Sequence, residues 1–110
     1  MSCPIDPTPA KRIEALHAIR DRYPGNLATA QESRLLAAMH ELRHCTTFEA
    51  SRYLDVYHPP ARKLALVNRG YQILTTWRRV ATESGRVHRI GEYSLIRDNR
   101  QLSMIRTPGT

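Results

Sequence analysis

The chain has little cysteine, few aromatic residues and no long apolar run. Its two cysteines, Cys3 and Cys45, are too few for a disulfide framework, which favours a reducing compartment. No stretch approaches the roughly 20 apolar residues that a membrane helix needs. The first residues, MSCPIDPTPAKR, lack the apolar segment of a signal peptide. We therefore expect a cytoplasmic protein with no membrane partner.

Most motifs of catalysis and cofactor binding are also missing. The sequence contains no glycine-rich phosphate loop, no GxSxG and no DxD pair, although residues 40–44, HELRH, have the letters of HExxH. His40 and His44 have the i, i+4 spacing that can bind zinc on a helix, and Cys45 follows them. However, His44 points away from the apolar stripe of its helix, and no further ligand lies near in sequence. The sequence thus predicts no enzyme, no cofactor, no metal and no small-molecule substrate.

Positive charge is what the chain has in excess, with a net charge of +7 at pH 7. Most of the excess lies in residues 56–90, where seven basic side chains stand against Glu83 alone and six of the seven are arginine. Arginine binds phosphate and guanine through two parallel hydrogen bonds. The distribution favours a polyanionic partner, with a merely solvated basic face as the alternative.

Two long helices are predicted first. Thr8 as N-cap and Pro9 as the first helical residue predict a helix over residues 9–23, which Pro24-Gly25 ends. A capping box from Thr29 to Glu32 predicts a second helix over about residues 30–44. The apolar residues of this second helix recur at helical spacing and are expected in the core: Leu35, Leu36, Met39 and Leu42.

Two shorter helices follow, separated by a tight turn. A capping box from Thr46 to Glu49 opens a helix through Leu54, and Asp55 is expected to take the turn. Pro59-Pro60 fit only the start of the next helix, where missing N–H groups cost nothing. That helix ends at residue 68 or 69 with Gly70 as its left-handed cap. We expect its Leu66 and Val67 to face inward.

A β-hairpin is predicted after the last helix. Residues 71–82 and 87–96 are rich in β-formers, and ESGR (83–86) supplies the turn. We expect Trp77 to cover the base of the hairpin, and Tyr71 and Tyr93 to lie in the core. Residues 97–110 lack periodicity and are predicted to form a loose tail.

Two helices joined by a tight turn form a helix-turn-helix, and the trailing basic hairpin makes it a winged variant. The predicted fold is mainly α with a β-hairpin wing (α+β), a winged helix-turn-helix with an extra N-terminal helix. Residues 1–29 are assigned to that helix and a linker, for packing or dimerisation. Residues 30–96 are assigned to a DNA-binding domain, and 97–110 to the tail.

The segments TTFEASRYLDV and PPARKLALVNRGYQILTTWRRVATESGRVHRIGEYSLI resemble small winged helix-turn-helix DNA-binding proteins of phages, prophages and proteobacterial mobile elements. The resemblance covers residues 30–96. It is carried by Arg62, Leu66, Gly70, Tyr71, Ile73, Thr75 and Tyr93. Two positions depart: Lys63 stands where an apolar residue is usual, and Val67 where arginine is usual. These departures leave open whether Arg62 or Lys63 faces the bases.

The expected docking geometry predicts which residues touch DNA. The recognition helix, 59–69, enters the major groove with its first residues near base edges, and Arg62 is the candidate for guanine. Thr46 and Thr47 lie at a helix N-terminus, which attracts anions. The wing, 82–89, lies over the minor groove or the backbone. The predicted contacts are His58, Ala61, Arg62, Lys63 and Arg69 on the recognition helix, and Arg78, Arg79, Arg86, His88 and Arg89 on the wing.

We therefore expect a sequence-specific double-stranded DNA-binding protein, a transcriptional regulator associated with the nucleoid, with a homodimer as an open question. One alternative is an architectural DNA binder, such as an excisionase-like or replication accessory factor. Another is a winged helix used for protein–protein interaction.

Overall fold

The structure is a computed structural model that describes residues 8–81 and 84–96. Its elements in chain order are α1 (Ala10–Arg22), α2 (Ala28–Leu42), β1 (His44–Thr46), α3 (Thr47–Tyr53), α4 (Pro59–Asn68), β2 (Ile73–Ala81) and β3 (Val87–Leu95). The predicted architecture, mainly α with a β-hairpin wing, is confirmed. The predicted tail 97–110 and turn residues 82–83 lie outside the described residues. Within the described ranges, no helix has the length and apolarity to cross a membrane.

The predicted start of the first helix is wrong by one residue. α1 begins at Ala10, and Pro9 occupies the N-cap position without a side-chain cap. The hydroxyl of Thr8 instead donates to Oε2 of Glu49 over 3.1 Å. The Thr8 hydroxyl, which the local pattern assigned to capping α1, therefore binds a residue of α3 instead.

The predicted capping box of the second helix does not form either. α2 begins at Ala28 with Leu27 at the N-cap, so Thr29 lies inside the first turn. The carboxylate of Glu32, the expected partner of Thr29, accepts a hydrogen bond from Arg69 over 3.1 Å. The absence of a cap costs about 1 kcal/mol, so one partly buried, charge-assisted tertiary hydrogen bond is enough to outweigh it.

The capping box of α3 is present as predicted. Oγ1 of Thr46 accepts from the Glu49 amide over 3.0 Å, and Oε1 of Glu49 accepts from the Thr46 amide over 3.1 Å. Nε of Arg12 on α1 also donates to Oε2 of Glu49 over 2.8 Å. Burial by itself would raise the pKa of Glu49, but the hydrogen bonds from Arg12, Thr46 and Thr8 outweigh it and hold the pKa below its ordinary value of 4.5.

Glu49→Gln is expected to lower the free energy of unfolding by roughly 1–3 kcal/mol at pH 7, because the charge-assisted bonds to Arg12 weaken. Since the pKa of Glu49 is lowered in the fold, its stabilising effect is present at neutral pH and is lost as the pH falls through that pKa. Urea unfolding of both proteins at several pH values between 7 and 3 measures this. The gap should close towards pH 3, whereas the exposed control Glu14→Gln should show no such gap. A gap of equal size at pH 7 and pH 3 would contradict the assignment.

The turn between α3 and α4 lies where the sequence predicts it. Asp55 takes a positive φ of 55°, and His58, the N-cap of α4, takes a φ of 54°. Pro59 and Pro60 occupy the first two helical positions. Gly70, directly after the C-cap, has a φ of 106°, a conformation that a side chain would strain. Both predicted ends of α4 are therefore confirmed.

The sheet contains a strand that the sequence pattern does not reveal. β1 pairs antiparallel with β3, and the strand order is β1-β3-β2. Cys45 on β1 lies opposite Tyr93 on β3, and both are buried. A strand of three residues is too short to show an alternating pattern, so periodicity cannot predict β1.

The core joins all four helices to the sheet. Its buried apolar residues are Leu16, Ile19, Leu35, Ala38, Met39, Cys45, Ala50, Tyr53, Leu54, Val56, Leu66 and Tyr93. Tyr71 packs against this core. Two expectations are wrong: Val67 is 37% exposed, and Trp77 is 60% exposed instead of packing inward. Leu66 alone anchors the centre of α4, because Val67 lies about 100° further round the helix.

One arginine is buried at the centre of the helical layer. Arg34 on α2 donates through Nη1 to the carbonyl oxygens of Tyr23 and Gly25, and through Nη2 to the carbonyl oxygen of Asp55 over 3.0 Å. Its side chain thereby joins the α1–α2 connection to the turn between α3 and α4. Buried carbonyl groups need such donors, so Arg34 is a structural residue.

Candidate nucleic-acid interface

The two strands of the wing present two different faces. Residues directly opposite each other on antiparallel strands point to the same side of the sheet. Trp77 lies opposite Gly91, and Arg79 lies opposite Arg89, so these four residues share one face. We call it the α4 face, because the start of α4 lies along it.

The start of α4 lies close to this side of the sheet, and a groove separates the two. The groove is lined by Pro60, Lys63, Leu64, Thr75, Trp77 and Tyr93. Its α4 wall comes from the first two turns of the helix, which is the part that reaches base edges in helix-turn-helix proteins. Arg79 and Arg89 therefore lie on the same side of the molecule as the start of α4.

Gly91 leaves room for the indole ring of Trp77. A Cβ added to Gly91 would lie 3.6 Å from Cζ3 of Trp77 and 3.4 Å from Cγ2 of Thr47. The indole therefore extends over the strand where a side chain is missing, and Thr47 lies on the same face. The guanidinium of Arg89 stacks over the indole, 4.9 Å from its centroid. This contact positions Arg89 on the α4 face.

Other predicted wing residues lie on the opposite side. Arg78 lies opposite Ile90, and His88 opposite Val80, so both alternate away from the α4 face. Nη1 of Arg78 is also 3.2 Å from Oε1 of Glu92, forming an ion pair. The structure therefore does not bring Arg78 and His88 together with Arg79 and Arg89. Arg86 is exposed in the turn that leads into β3.

Two further predicted contacts are occupied within the protein. Thr46 is buried, and its hydroxyl accepts from the Glu49 amide in the capping box. Arg69 is the C-cap of α4, and its Nη1 lies 3.1 Å from Oε1 of Glu32. Each would have to give up an internal contact before it could bind a ligand.

The remaining predicted contacts lie at the start of α4. His58 and Ala61 are exposed, and Lys63 lines the groove beside Trp77. Arg62 is half-buried, on the side of the helix that Leu66 buries. Its Nε is buried and has no hydrogen-bond partner among the described residues. Between the two basic residues, Lys63 is therefore the one directed along the α4 face.

The predicted helix over residues 30–44 is too long, because α2 ends at Leu42 and His44 lies on β1. His40 and His44 therefore do not share a helix, and no three metal-ligating side chains gather in the described ranges. Burial raises the pKa of the Cys45 thiol well above its ordinary value, so the thiolate is disfavoured. Cys45 acts as a small core residue.

Comparison with known families agrees with this geometry. A family model described as a winged helix-turn-helix domain matches residues 30–98, which is more than half of the chain. The chain belongs to the winged helix-turn-helix family. Searches of curated proteins and of solved structures return no match. In this winged helix, α3 and α4 form the helix-turn-helix, and β2 and β3 form the wing.

Sequence reasoning misses two exposed apolar residues of the groove between α4 and the sheet. It assigns Trp77 to the core and does not single out Leu64, although Leu64 is 56% exposed at the centre of the recognition helix of this winged helix. A signal for Trp77 exists in the sequence, because a glycine stands opposite it. Reading that signal requires the pairing of the strands, which the sequence does not provide.

Proposed function

We propose that this protein is a sequence-specific double-stranded DNA-binding protein that regulates transcription. In the proposed complex, α4 lies in the major groove, and the wing lies over the backbone or the minor groove. Arg79 and Arg89 carry the proposal. They face each other across the hairpin on the side of α4, and neither has an ion-pair partner among the described residues. Like charges directly opposite each other destabilise a hairpin, and a phosphate group would offset that repulsion.

The predicted site residues take different parts in this proposal. Lys63, Ala61 and His58 are proposed to approach base edges, with Arg62 beside them. Arg79, Arg89, Arg86 and Thr47 are proposed to bind phosphates. Arg78, His88, Arg69 and Thr46 are given a smaller part, because they lie on the opposite side of the sheet or are held by internal contacts.

Binding to fluorescently labelled random duplexes, followed by anisotropy at several salt concentrations, tests the proposal. Three basic phosphate contacts, at Arg79, Arg86 and Arg89, should give a slope of about −2.7 for the logarithm of the binding constant against that of the salt concentration. Undetectable binding at low salt would overturn DNA binding. Selection from a random pool then separates a sequence-specific regulator from an architectural binder, which would bind without enriching any sequence.

The selection also tests the predicted homodimer. An inverted repeat among the enriched sequences, with half-sites about one helical turn apart, would show a dimer. A single asymmetric site would indicate a monomer. The association with phages or mobile elements stays a prediction from the sequence resemblance.

A protein partner is the second candidate function. The exposed side chains of Leu64 and Trp77, which line one groove, are the observation that favours it. The two candidates differ in their charge requirement, because only DNA binding should weaken steeply as salt rises.

A further inference from the structure

The outward side of the recognition helix is almost entirely apolar. The exposed residues of α4 are Pro60, Ala61, Leu64, Val67 and Asn68. They recur at the spacing that places them on one side of a helix. Leu64 is 56% exposed at its centre, and Asn68 is the only polar member. We call these five residues the α4 strip.

The hydrophobic core does not include any of these side chains. The inward side of α4 is already anchored by Leu66, which is completely buried, and by Pro59. Single exposed apolar residues are ordinary, but here Pro60 and Leu64 line the same groove as Trp77. A continuous exposed apolar surface of this kind marks a binding site.

The charges around the strip identify the chemistry of the partner. Lys63 lines the groove beside Leu64, and Arg79 and Arg89 project from the same side of the wing. The partner must therefore combine dense negative charge with apolar groups that a helix can reach. In the major groove of DNA, the apolar group on the base edges is the C5 methyl of thymine.

We propose that the α4 strip reads thymine methyl groups, so that the preferred binding site carries A·T pairs where Leu64 and Val67 contact it. This inference rests on the proposed DNA binding and adds which bases are read and by which chemistry. The arginines of the wing then supply affinity for the backbone, whereas the apolar residues supply part of the sequence preference.

Deoxyuridine provides the test, because it differs from thymidine only by the missing methyl group. The site enriched by selection is synthesised with its thymines and again with deoxyuridine at one position at a time. At each contacted position, affinity is expected to fall about threefold to fourfold, because the burial of one methyl group in the complex is lost. Positions outside the contact should show no change.

Leu64→Ala completes a double-mutant cycle with the same duplexes. The variant should bind the thymine duplex more weakly than the wild type, and its ratio between thymine and deoxyuridine should approach one at the position that Leu64 contacts. Leu27→Ala is the matched control, since Leu27 is 74% exposed at the N-cap of α2 and lies outside the strip. It should keep the wild-type ratio.

The outcomes separate this inference from the proposed function. Equal affinity of the wild type for thymine and deoxyuridine duplexes would overturn methyl reading and leave DNA binding intact. Unchanged DNA affinity in Leu64→Ala would also overturn it and would assign the strip to a protein partner. Absence of DNA binding at low salt would overturn both.

Discussion

The double variant Arg79→Ala/Arg89→Ala is expected to bind duplex DNA about 60-fold more weakly than the wild type at 0.1 M monovalent salt. Each phosphate that is neutralised contributes roughly 0.9 to the slope of log binding constant against log salt, which is about eightfold at this concentration. Removing both arginines from the phosphates should therefore flatten the slope by about 1.8. Affinity should fall for cognate and random duplexes alike, because phosphate contacts carry no sequence information.

Arg20→Ala is the control for this experiment. It removes the same kind of positive charge from α1, where Arg20 pairs with Asp21. We expect Arg20→Ala to leave the salt slope unchanged. The slope depends on the number of phosphates that are contacted and not on the net charge of the protein. The double variant should stay folded, since it removes two like charges that face each other across the hairpin. An unchanged slope in the folded double variant would remove the wing face from the interface.

Arg34→Met is expected to have the largest effect on stability, lowering the free energy of unfolding by about 3–5 kcal/mol. Methionine has a similar length but cannot donate to the carbonyl oxygens of Tyr23, Gly25 and Asp55. A buried carbonyl without a donor costs about 1–3 kcal/mol, and domains of this size have only about 5–15 kcal/mol in total. Far-UV circular dichroism in urea measures the change.

The matched control for Arg34→Met is Arg22→Met. Arg22 also lies on a helix and forms an ion pair, at 2.7 Å from Glu41, but on the surface. Exposed pairs of this kind often contribute nothing measurable, so the unfolding midpoint should stay close to that of the wild type. If both variants unfold at the same urea concentration, the three carbonyl oxygens must find other donors, and the central role of Arg34 is wrong.

Local sequence signals predict the parts of the fold in which local interactions dominate. The capping box of Thr46 and Glu49 forms because the Thr46 hydroxyl and the Glu49 amide meet within one turn of the chain. The box beginning at Thr29 fails because Glu32 pairs with Arg69 at the end of α4, a contact across 37 residues. A pattern within four residues contains no information about such a distant partner.

The candidate site is predictable in outline but not in its orientation. The excess of arginine between residues 56 and 90 indicates the wing correctly as the basic element. Which arginines share a face depends on strand pairing, and a shift of one residue moves every side chain to the other side. Alternation along β2 already places Arg79 with Trp77 and Arg78 on the other face. The pairing adds that Arg89 shares the face of Arg79, and Arg78 pairs with Glu92. The number of arginines is visible in the sequence, whereas the partners that meet across the two strands are not.

The contacts of α1 determine how a truncation of the chain would affect its stability. Leu16 and Ile19 belong to the common core, and Arg12 neutralises the carboxylate that caps α3. Removing everything before residue 30 would open the core on one side and leave Glu49 without that cation. We therefore expect the segment that matches the family model to be less stable alone than together with the extra helix.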